Sequence, residues 1–470
     1  MSVSVFFVLL VLIVFYKLRS RRIKRLSQAC KFFFVLRLVI ELNFGIGYAF
    51  RIGSVEVSYD SIISLILCCL AVILIIKELK IPRVILIIGG LLILSLLVGL
   101  GITVIYPYEG RVVLRLNGWD QIMQGKAFWE RIEGLRLKNF LELFNLLKWM
   151  LMALILQRIF KNRDELVSAI STILNASTLM IVCGYTEFLC EKILHSELLS
   201  QILTFVFGSI HNVDKIGDVR VQGMMLEPSY YSYAAFQLAL LSICRLAILK
   251  ENIKREKNRF VAIMLVMLLS KSFSSVIYFI LLLFTFGWFV LGKNKVKLFF
   301  KKVALTIPIS FIVLLSIWFI LRFQNNEWLN YFVERFQRLF KTINLVIKTG
   351  GFGTFNSSSE AVRLISILES LLIFLKRPLF GLGIGFVECH STIVSVMVSG
   401  GIIGLFLWLA FVDKVSGGKR RNKVIYLVFV FANICIGSIG FIYSAVYLFI
   451  FLCYSTFFTE AKTNKIIALS

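Results

Sequence analysis

Histidine, proline and acidic residues are scarce in this chain. Its 470 residues include 3 histidines and 5 prolines, and 26 acidic residues stand against 52 basic ones. There is no H-E-x-x-H motif and no paired D-x-D, which argues against a metal centre. No Ser-His-Asp pattern or phosphate-binding loop stands out either. We therefore expect neither a metal ion nor another cofactor.

The chain is instead rich in apolar residues. They make up 59% of the sequence, 44 of them are phenylalanine, and the mean hydropathy is +0.88. A soluble globular domain is not so apolar. The apolar runs are continuous rather than alternating, which favours helices over the strands of a barrel. The sequence therefore predicts an all-α polytopic integral membrane protein.

The predicted membrane spans number about 12–14, each close to the ~20 apolar residues that cross a bilayer or somewhat shorter. The first segment, SVSVFFVLLVLIVFY, has no basic residue before it and no small-x-small site after it. We expect a retained span there rather than a cleaved signal peptide. The predicted segments are 2–16, 32–50, 61–77, 84–105, 139–157, 166–187, 228–249, 259–270, 274–292, 303–321, 391–412, 424–440 and 442–458.

Basic clusters follow every second predicted span. This alternation places the connecting loops in the cytoplasm. The net charge of +26 is thus spread over many short loops, which argues against nucleic-acid binding. We expect one membrane domain, 1–470, with three larger loops on the outer side, 106–138, 188–227 and 322–390. The clusters read KLRSRRIKR, KELKIPR, QRIFKNR, KENIKREKNR, KNKVKLFFKK and KVSGGKRRNK.

The last outer loop is itself basic. Its charges either contact lipid headgroups or hold an anionic ligand, since the guanidinium fork bonds phosphate bidentately. We predict Arg335, Arg338 and Arg377 as substrate-binding residues. Two amphipathic helices are expected in this loop, within NEWLNYFVERFQRLFKTINLVI and SSSEAVRLISILESLLIFL. The basic residues are Arg335, Arg338, Lys341, Lys348, Arg363, Lys376 and Arg377.

The second of these helices leads into the stretch RPLFGLGIGFVECHS. Arg363 is spaced to share a helix face with Ser366 and Ser370. Glycines after Pro378 permit positive φ, and we predict that Gly383 lets the backbone approach a ligand closely. His390 precedes the next span, where it either caps the helix or acts as a general base near neutral pH.

The middle outer loop ends in DVRVQGMMLEPSYY. Arg220 lies in it, and Glu227 directly precedes the proline that opens a span. An acid there either complements the helix dipole or contacts substrate. Tyr230 and Tyr231 fit an aromatic interface belt and would also suit stacking on a sugar.

Two motif blocks together resemble a known family. The first is R-x-x-G-x-x-x-E-P-S from Arg220 to Ser229. The second runs from Arg363 through R-L-I-S-I-L-E-S-L-L-I-F-L-K-R-P-L-F-G-L-G-I-G and H-S to G-G-I-I-G. In this order they resemble the O-antigen polymerase and O-antigen ligase superfamily of bacterial inner-membrane glycosyltransferases. The many-span layout is similar too.

The resemblance implies a metal-independent, GT-C-like glycosyltransferase with its active site at the periplasmic face. The donor would be a glycan on undecaprenyl pyrophosphate, with membrane lipids and a chain-length regulator protein as further partners. Arg220 and Arg363 match the family's arginines and would neutralise the departing pyrophosphate. His390 matches the family's histidine and would deprotonate or orient the acceptor hydroxyl.

Polymerase is the favoured activity, because the residue after His390 is Ser391, where ligases often have asparagine, and because E-P-S occurs in many polymerases. A ligase acting on lipid A-core is one alternative. A flippase or other transporter is another, and would hold ionisable residues within the membrane. The main pair of that kind is Arg37 and Glu41, one turn apart, which also fits a self-satisfied pair between helices.

Overall fold

The structure is a computed structural model that describes most of the helical core. Predictions at other positions stay predictions, among them the spans 2–16, 303–321 and 424–440, which lie largely outside the described residues. The described residues are 2–3, 11, 14, 25–43, 48–52, 55–78, 81–108, 113–114, 129–130, 134–190, 194, 196, 201–202, 206, 221, 223, 225, 228–248, 253–270, 272–291, 337, 341, 344, 359–387, 389–415, 425, 428, 432 and 444–467.

Helices dominate these residues, which confirms the predicted helical class. A π-helical turn, Gly287–Leu291, extends the ninth helix. The helices are α1 (Leu26–Asn43), α2 (Tyr59–Glu78), α3 (Arg83–Ile105), α4 (Leu137–Ile159), α5 (Arg163–Ala176), α6 (Thr178–Phe188), α7 (Pro228–Ile248), α8 (Ile253–Leu269), α9 (Phe273–Phe286), α10 (Ser359–Lys376), α11 (Thr392–Val415) and α12 (Ala445–Ile467).

Six helical segments in the described part of the chain are long and apolar enough to cross a bilayer. The protein is therefore embedded in a membrane, as the sequence predicts. Two shorter apolar helices, Ser274–Val290 and Ala445–Phe457, add to these. The six are Tyr59–Lys77, Arg83–Ile105, Leu137–Ile159, Arg163–Phe188, Pro228–Ile248 and Thr392–Val415.

The predicted span 32–50 is wrong at its carboxyl end. Helix α1 stops at Asn43, and the chain continues as an antiparallel pair of strands, β2 (Tyr48–Ile52) and β3 (Val55–Ser58), with β1 (Ser2–Val3) beside β2. The sequence of β3, VEVS, alternates in polarity, and YAFRI follows a glycine-containing stretch, which suits strands better than a lipid-facing helix. A second pair, β4 (Val113–Leu114) and β5 (Trp129–Glu130), lies in the predicted loop 106–138. These short strands were not expected.

Helix α7 occupies the centre of the described bundle. About 83% of its most apolar window is buried inside the protein, against 33% for α3. Helices α8, α9 and α12 pack around α7, whereas α2 and α3 expose rows of leucine and isoleucine such as Leu65 and Leu94. Because an exposed apolar row is stable only against lipid or another apolar surface, these outer helices face the bilayer.

Helix α11 is interrupted at Gly401. The glycine-rich stretch before the helix forms hydrogen bonds with the backbone groups around this interruption. Gly401 has φ +65°, and the N–H of Ile402 donates to the carbonyl of Pro378 (2.8 Å). In return, Leu382 donates to Val398 O (2.8 Å) and Gly383 to Ser399 O (2.9 Å). Non-helical backbone is tolerated at membrane depth when protein groups satisfy it. The stretch 378–385 therefore belongs to the bundle, although it was predicted as part of the outer loop 322–390.

The buried charges of α1 form a network that joins three helices. Arg37 Nε donates to Asp60 Oδ1 at 2.9 Å, whereas its nearest approach to Glu41 is 3.8 Å. Glu41 instead accepts from Ser444 Oγ (2.6 Å) and from the backbone N–H of Ala445, at the start of α12. The predicted pair of Arg37 and Glu41 is present, but it is not self-contained, because each residue also bonds a second helix. Glu41 complements the amino-terminal dipole of α12, and Arg37 joins α1 to α2.

Candidate functional site

The best-defined candidate site lies where α10 meets the start of α11. Ser366 Oγ and His390 Nδ1 are 2.9 Å apart and share a hydrogen bond, and the backbone N–H of His390 donates to the same oxygen (3.3 Å). Ser366 is buried and His390 is partly exposed. The ring is thus fixed at one nitrogen and positioned at the mouth of a membrane helix.

Arg363 belongs to the same helix as Ser366. It lies three residues earlier in α10, so the two residues share a helix face. The structure therefore brings the backbone of Arg363 within one helical turn of the contact to His390, although 27 residues separate the two in sequence. That Arg363 and His390 serve one site stays a prediction.

The face of α10 below His390 is polar and buried. Ser370 Oγ donates to the carbonyl of Ser366 (2.6 Å) and also bonds the thiol of Cys389. Burial raises the pKa of Cys389, which keeps it a thiol near neutral pH. Between the two serines lies Glu369, a carboxyl with 7% of its surface exposed.

Burial without a counter-charge raises the pKa of Glu369 from 4.5 to about 8. Sequence reasoning missed this residue, because a single glutamate in SILESLLIFL is typical of the solvated side of an amphipathic helix. The spacing of Ser366, Glu369 and Ser370 was the available signal, since all three fall on the face shared with Arg363.

Arg377 was predicted to bind substrate, and the structure gives it other partners. Its Nη1 donates to Thr103 Oγ1 (3.0 Å), its Nη2 donates to the carbonyl of Tyr106, and the guanidinium lies over the ring of Tyr108. These contacts tie the end of α10 to the end of α3, where the last carbonyls of a helix lack partners. In this structure the guanidinium of Arg377 joins two helices and is not exposed as a free binding group for phosphate.

Gly383 was predicted to allow close approach of a ligand, and that prediction is wrong for this structure. The residue is buried with φ +89°, and an added Cβ would lie 2.5 Å from backbone atoms of Leu100. The close neighbour is therefore helix α3. The requirement for glycine comes from packing of the stretch 378–385 against that helix.

Two backbone N–H groups of the motif from Arg220 to Ser229 form hydrogen bonds with neighbouring helices. The N–H of Val221 donates to Leu269 O (3.4 Å), and the N–H of Gly223 donates to Glu187 Oε2 (2.6 Å). Glu187, at the end of α6, had no role in the sequence analysis. An amide–carboxylate bond of this kind fixes the backbone of the motif close to the amino-terminal end of α7.

Tyr231 does not meet the expectation of sugar stacking. Its side chain is fully buried, its hydroxyl donates to Met180 O (3.0 Å), and its ring lies against Gly184 and Gly223. A ring without an exposed face has no surface for a sugar. Tyr230 is partly buried and packs on the same core.

Four of the predicted site residues fall on positions whose structure is not described. They are Arg220, Glu227, Arg335 and Arg338, and their roles stay predictions. Within the described residues, no group of three or more histidine, cysteine or acidic side chains is placed to hold a metal ion. The absence of a metal from the whole protein likewise stays a prediction.

No protein-family model and no curated protein matches this chain. Membership of the O-antigen polymerase and ligase superfamily therefore stays a prediction that rests on the two motif blocks.

Proposed function

We propose that this protein is a membrane glycosyltransferase of the GT-C type that polymerises oligosaccharide repeat units carried on undecaprenyl pyrophosphate. In this proposal the reaction takes place at the periplasmic face of the bacterial inner membrane. The growing chain is transferred from its lipid carrier to the terminal sugar of a new lipid-linked repeat unit. No metal ion or nucleotide takes part.

The chemistry is a substitution at the anomeric carbon of the donor. The acceptor hydroxyl forms a new C–O bond to that carbon, and the bond from the carbon to the phosphate oxygen breaks. The electron pair leaves with undecaprenyl pyrophosphate, and the hydroxyl proton passes to His390. Arg363 and Arg220 stabilise the negative charge that grows on the leaving pyrophosphate.

The contact between Ser366 and His390 is the observation that carries this proposal. It connects the helix of Arg363 to the histidine of the second motif block. When Nδ1–H donates to Ser366 Oγ, the basic nitrogen is Nε2, which is the protonation state that a general base requires. A serine that fixes the tautomer thus acts as the orienting group of the base.

Two alternatives have different expected phenotypes. A ligase would use the same donor but transfer the glycan to lipid A-core. A transporter would use charges inside the membrane, and the network of Arg37, Glu41 and Asp60 is the observation in favour of it. In the structure these charges bond one another and the end of α12, which is sufficient to explain them as bundle contacts.

Surface glycan from cells that lack this chain tests the three functions. Loss of the ladder, with lipid A-core carrying a single repeat unit, is the result expected for a polymerase. Bare lipid A-core, with long chains accumulating on undecaprenyl pyrophosphate, identifies a ligase. An unchanged ladder contradicts both.

Complementation then tests the site. Wild-type protein should restore the ladder, and Arg363→Ala should not, at equal expression. Arg158→Ala is a matched control. Arg158 lies in the last turn of α4, on the predicted cytoplasmic side and so away from the proposed site, and this variant should restore the ladder. A ladder restored by Arg363→Ala would leave the polymerase in place and remove Arg363 from its mechanism.

A further inference from the structure

Two buried polar groups on α10 and α11, close in sequence to Ser366 and His390, have no hydrogen-bond partner within the part of the chain that the structure describes. They are Oε1 of Glu369 and Oγ1 of Thr392. Thr392 is only 1% exposed to solvent. A buried donor or acceptor left unpaired destabilises the fold, so such groups call for a physical explanation.

Both groups lie next to the contact between Ser366 and His390. Glu369 follows Ser366 by three residues in α10, which is about 4.5 Å along the helix axis on the same face. Thr392 follows His390 by two residues and is the first residue of the 24-residue helix α11. Each of the two unpartnered groups is therefore within one helical turn, in sequence, of one partner of the contact between Ser366 and His390.

Glu369 has no charged partner in its described surroundings. Helix α10 packs against α11 and β4, and on the segment between α10 and α11 the described titratable groups closest in sequence to α11 are Cys389 and His390, whereas Glu388 lies outside the described residues. Lys376 and Arg377 lie two turns further on, over the ring of Tyr108. The pKa of about 8 keeps the carboxyl protonated at neutral pH. In that form it has one O–H donor and remaining acceptor capacity.

The described side chains next to the contact between Ser366 and His390 are therefore mainly hydroxylic. Ser366, Ser370 and Ser391 are buried there together with the two unpartnered groups. Paired donors and acceptors without fixed charge match the hydroxyl groups of a neutral sugar. A phosphate would instead require the cationic side chains.

The position of the base decides which sugar lies there. A general base must be within about 3 Å of the hydroxyl that it deprotonates, and in the proposed reaction that hydroxyl belongs to the acceptor. Side chains that flank the base consequently face the acceptor sugar. We propose that Glu369 and Thr392 form the acceptor-sugar subsite of this protein and hydrogen-bond hydroxyl groups of the sugar that is extended. This inference rests on the proposed function.

The test uses an acceptor that cannot act as a donor. The probe is the host's repeat unit as an octyl glycoside, which lacks pyrophosphate, and its Kd is measured with the full chain in phosphatidylcholine nanodiscs. Wild type should bind about three- to tenfold more weakly at about pH 9 than at about pH 7, because the ionised carboxyl loses its donor.

The variants separate this subsite from general effects. Glu369→Gln keeps an amide donor that does not ionise, so its Kd should change less with pH than that of wild type. Thr392→Val keeps the shape of the side chain and should weaken binding about three- to tenfold at both pH values. Thr285→Val is the matched control, since the hydroxyl of Thr285 is bonded within its own helix, to Leu281 O (2.7 Å). It should bind like wild type.

The same pH response in wild type and Glu369→Gln would overturn the proposal, as would wild-type affinity in Thr392→Val. Inorganic pyrophosphate provides the opposite probe: if these two substitutions weaken pyrophosphate binding and leave glycoside binding intact, the subsite holds phosphate and the proposal is wrong. Glycoside binding does not require turnover. Binding that follows the expected pattern in a protein without glycosyl transfer would uphold the subsite and reject the polymerase, and transfer with unaffected glycoside binding would do the reverse.

Discussion

Glu256 and Glu369 are both buried glutamates on helices of this bundle, and their surroundings are opposite. Glu256, at the start of α8, lies 3.4 Å from Arg245 Nε and 3.3 Å from Arg259 Nη1. Glu369, at the other predicted side of the membrane, has a carboxyl oxygen without a described partner. Charges near the predicted cytoplasmic side therefore neutralise one another and join helices. In our proposal, by contrast, Glu369 and Thr392 near His390 bind a ligand.

The largest expected effect concerns the paired glutamate. Glu256→Gln should lower the free energy of unfolding by about 3–5 kcal/mol, because two guanidiniums lose the carboxylate that compensates their burial. Denaturant unfolding in mixed micelles measures this effect. Glu369→Gln is the matched variant and should not lower stability near neutral pH, since it replaces one neutral side chain by another. Equal losses in both variants would contradict the comparison.

Arginine-to-lysine substitutions on the helices of the two glutamates are expected to differ in their effect on the rate of polymerisation. Arg363→Lys should slow glycan polymerisation about ten- to a hundredfold, because an ammonium cannot form the bidentate bonds of a guanidinium to pyrophosphate. Arg259→Lys retains a cation beside Glu256 and should polymerise at the wild-type rate. The length of chains formed per unit time by the purified proteins gives both numbers. A fully active Arg363→Lys protein would exclude the bidentate role.

A smaller effect is expected for the packing of the glycine-rich stretch. Gly383→Ala should cost about 1–3 kcal/mol of stability, since the residue has φ +89° and its Cβ would meet the backbone of Leu100. Gly101→Ala is the control within α3, where an added Cβ meets nothing within 4 Å. Unchanged stability in both variants would show that the stretch 378–385 does not pack against α3 as described.

The smallest effect is the pH dependence that Glu369 contributes. Its pKa rises from 4.5 in the unfolded chain to about 8 in the fold, so between these values the folded state alone holds the proton. The contribution of the protonated Glu369 carboxyl to the free energy of unfolding is therefore full at low pH. It falls by about 1.4 kcal/mol per pH unit as pH rises between the two pKa values, and it levels off near pH 8. Unfolding at about pH 6 and about pH 7 should show this slope in wild type and a smaller one in Glu369→Gln. An identical slope in the variant would mean that Glu369 is already ionised in the fold.

The sequence predicted the helices well where hydropathy decides them. Continuous apolar runs at 61–77, 84–105 and 139–157 correspond to α2, α3 and α4, because burial in lipid requires such runs. It failed at 32–50, where apolar content alone did not reveal the change from helix to strand after Asn43.

The candidate site was predictable only in part. The order of Arg363 and His390 in the motif block predicts that both serve one site, and the structure shows the contact of Ser366, on the helix of Arg363, to His390. The neighbours of Gly383 and Arg377 were not predictable, since a glycine or an arginine that packs against a helix has the same local sequence as one that binds a ligand. Glu369 was missed for a related reason: burial without a partner is a property of the fold.

Release of undecaprenyl pyrophosphate from a purified lipid-linked repeat unit is the most direct measure of glycosyl transfer by this protein. Wild-type protein and His390→Ala would be reconstituted at equal amounts and compared at equal stability. We expect release together with chain growth in wild type. In His390→Ala, which lacks the general base, the rate of release should fall about a hundredfold or more. Wild-type protein that releases nothing, or His390→Ala that releases the carrier at the wild-type rate, would contradict it.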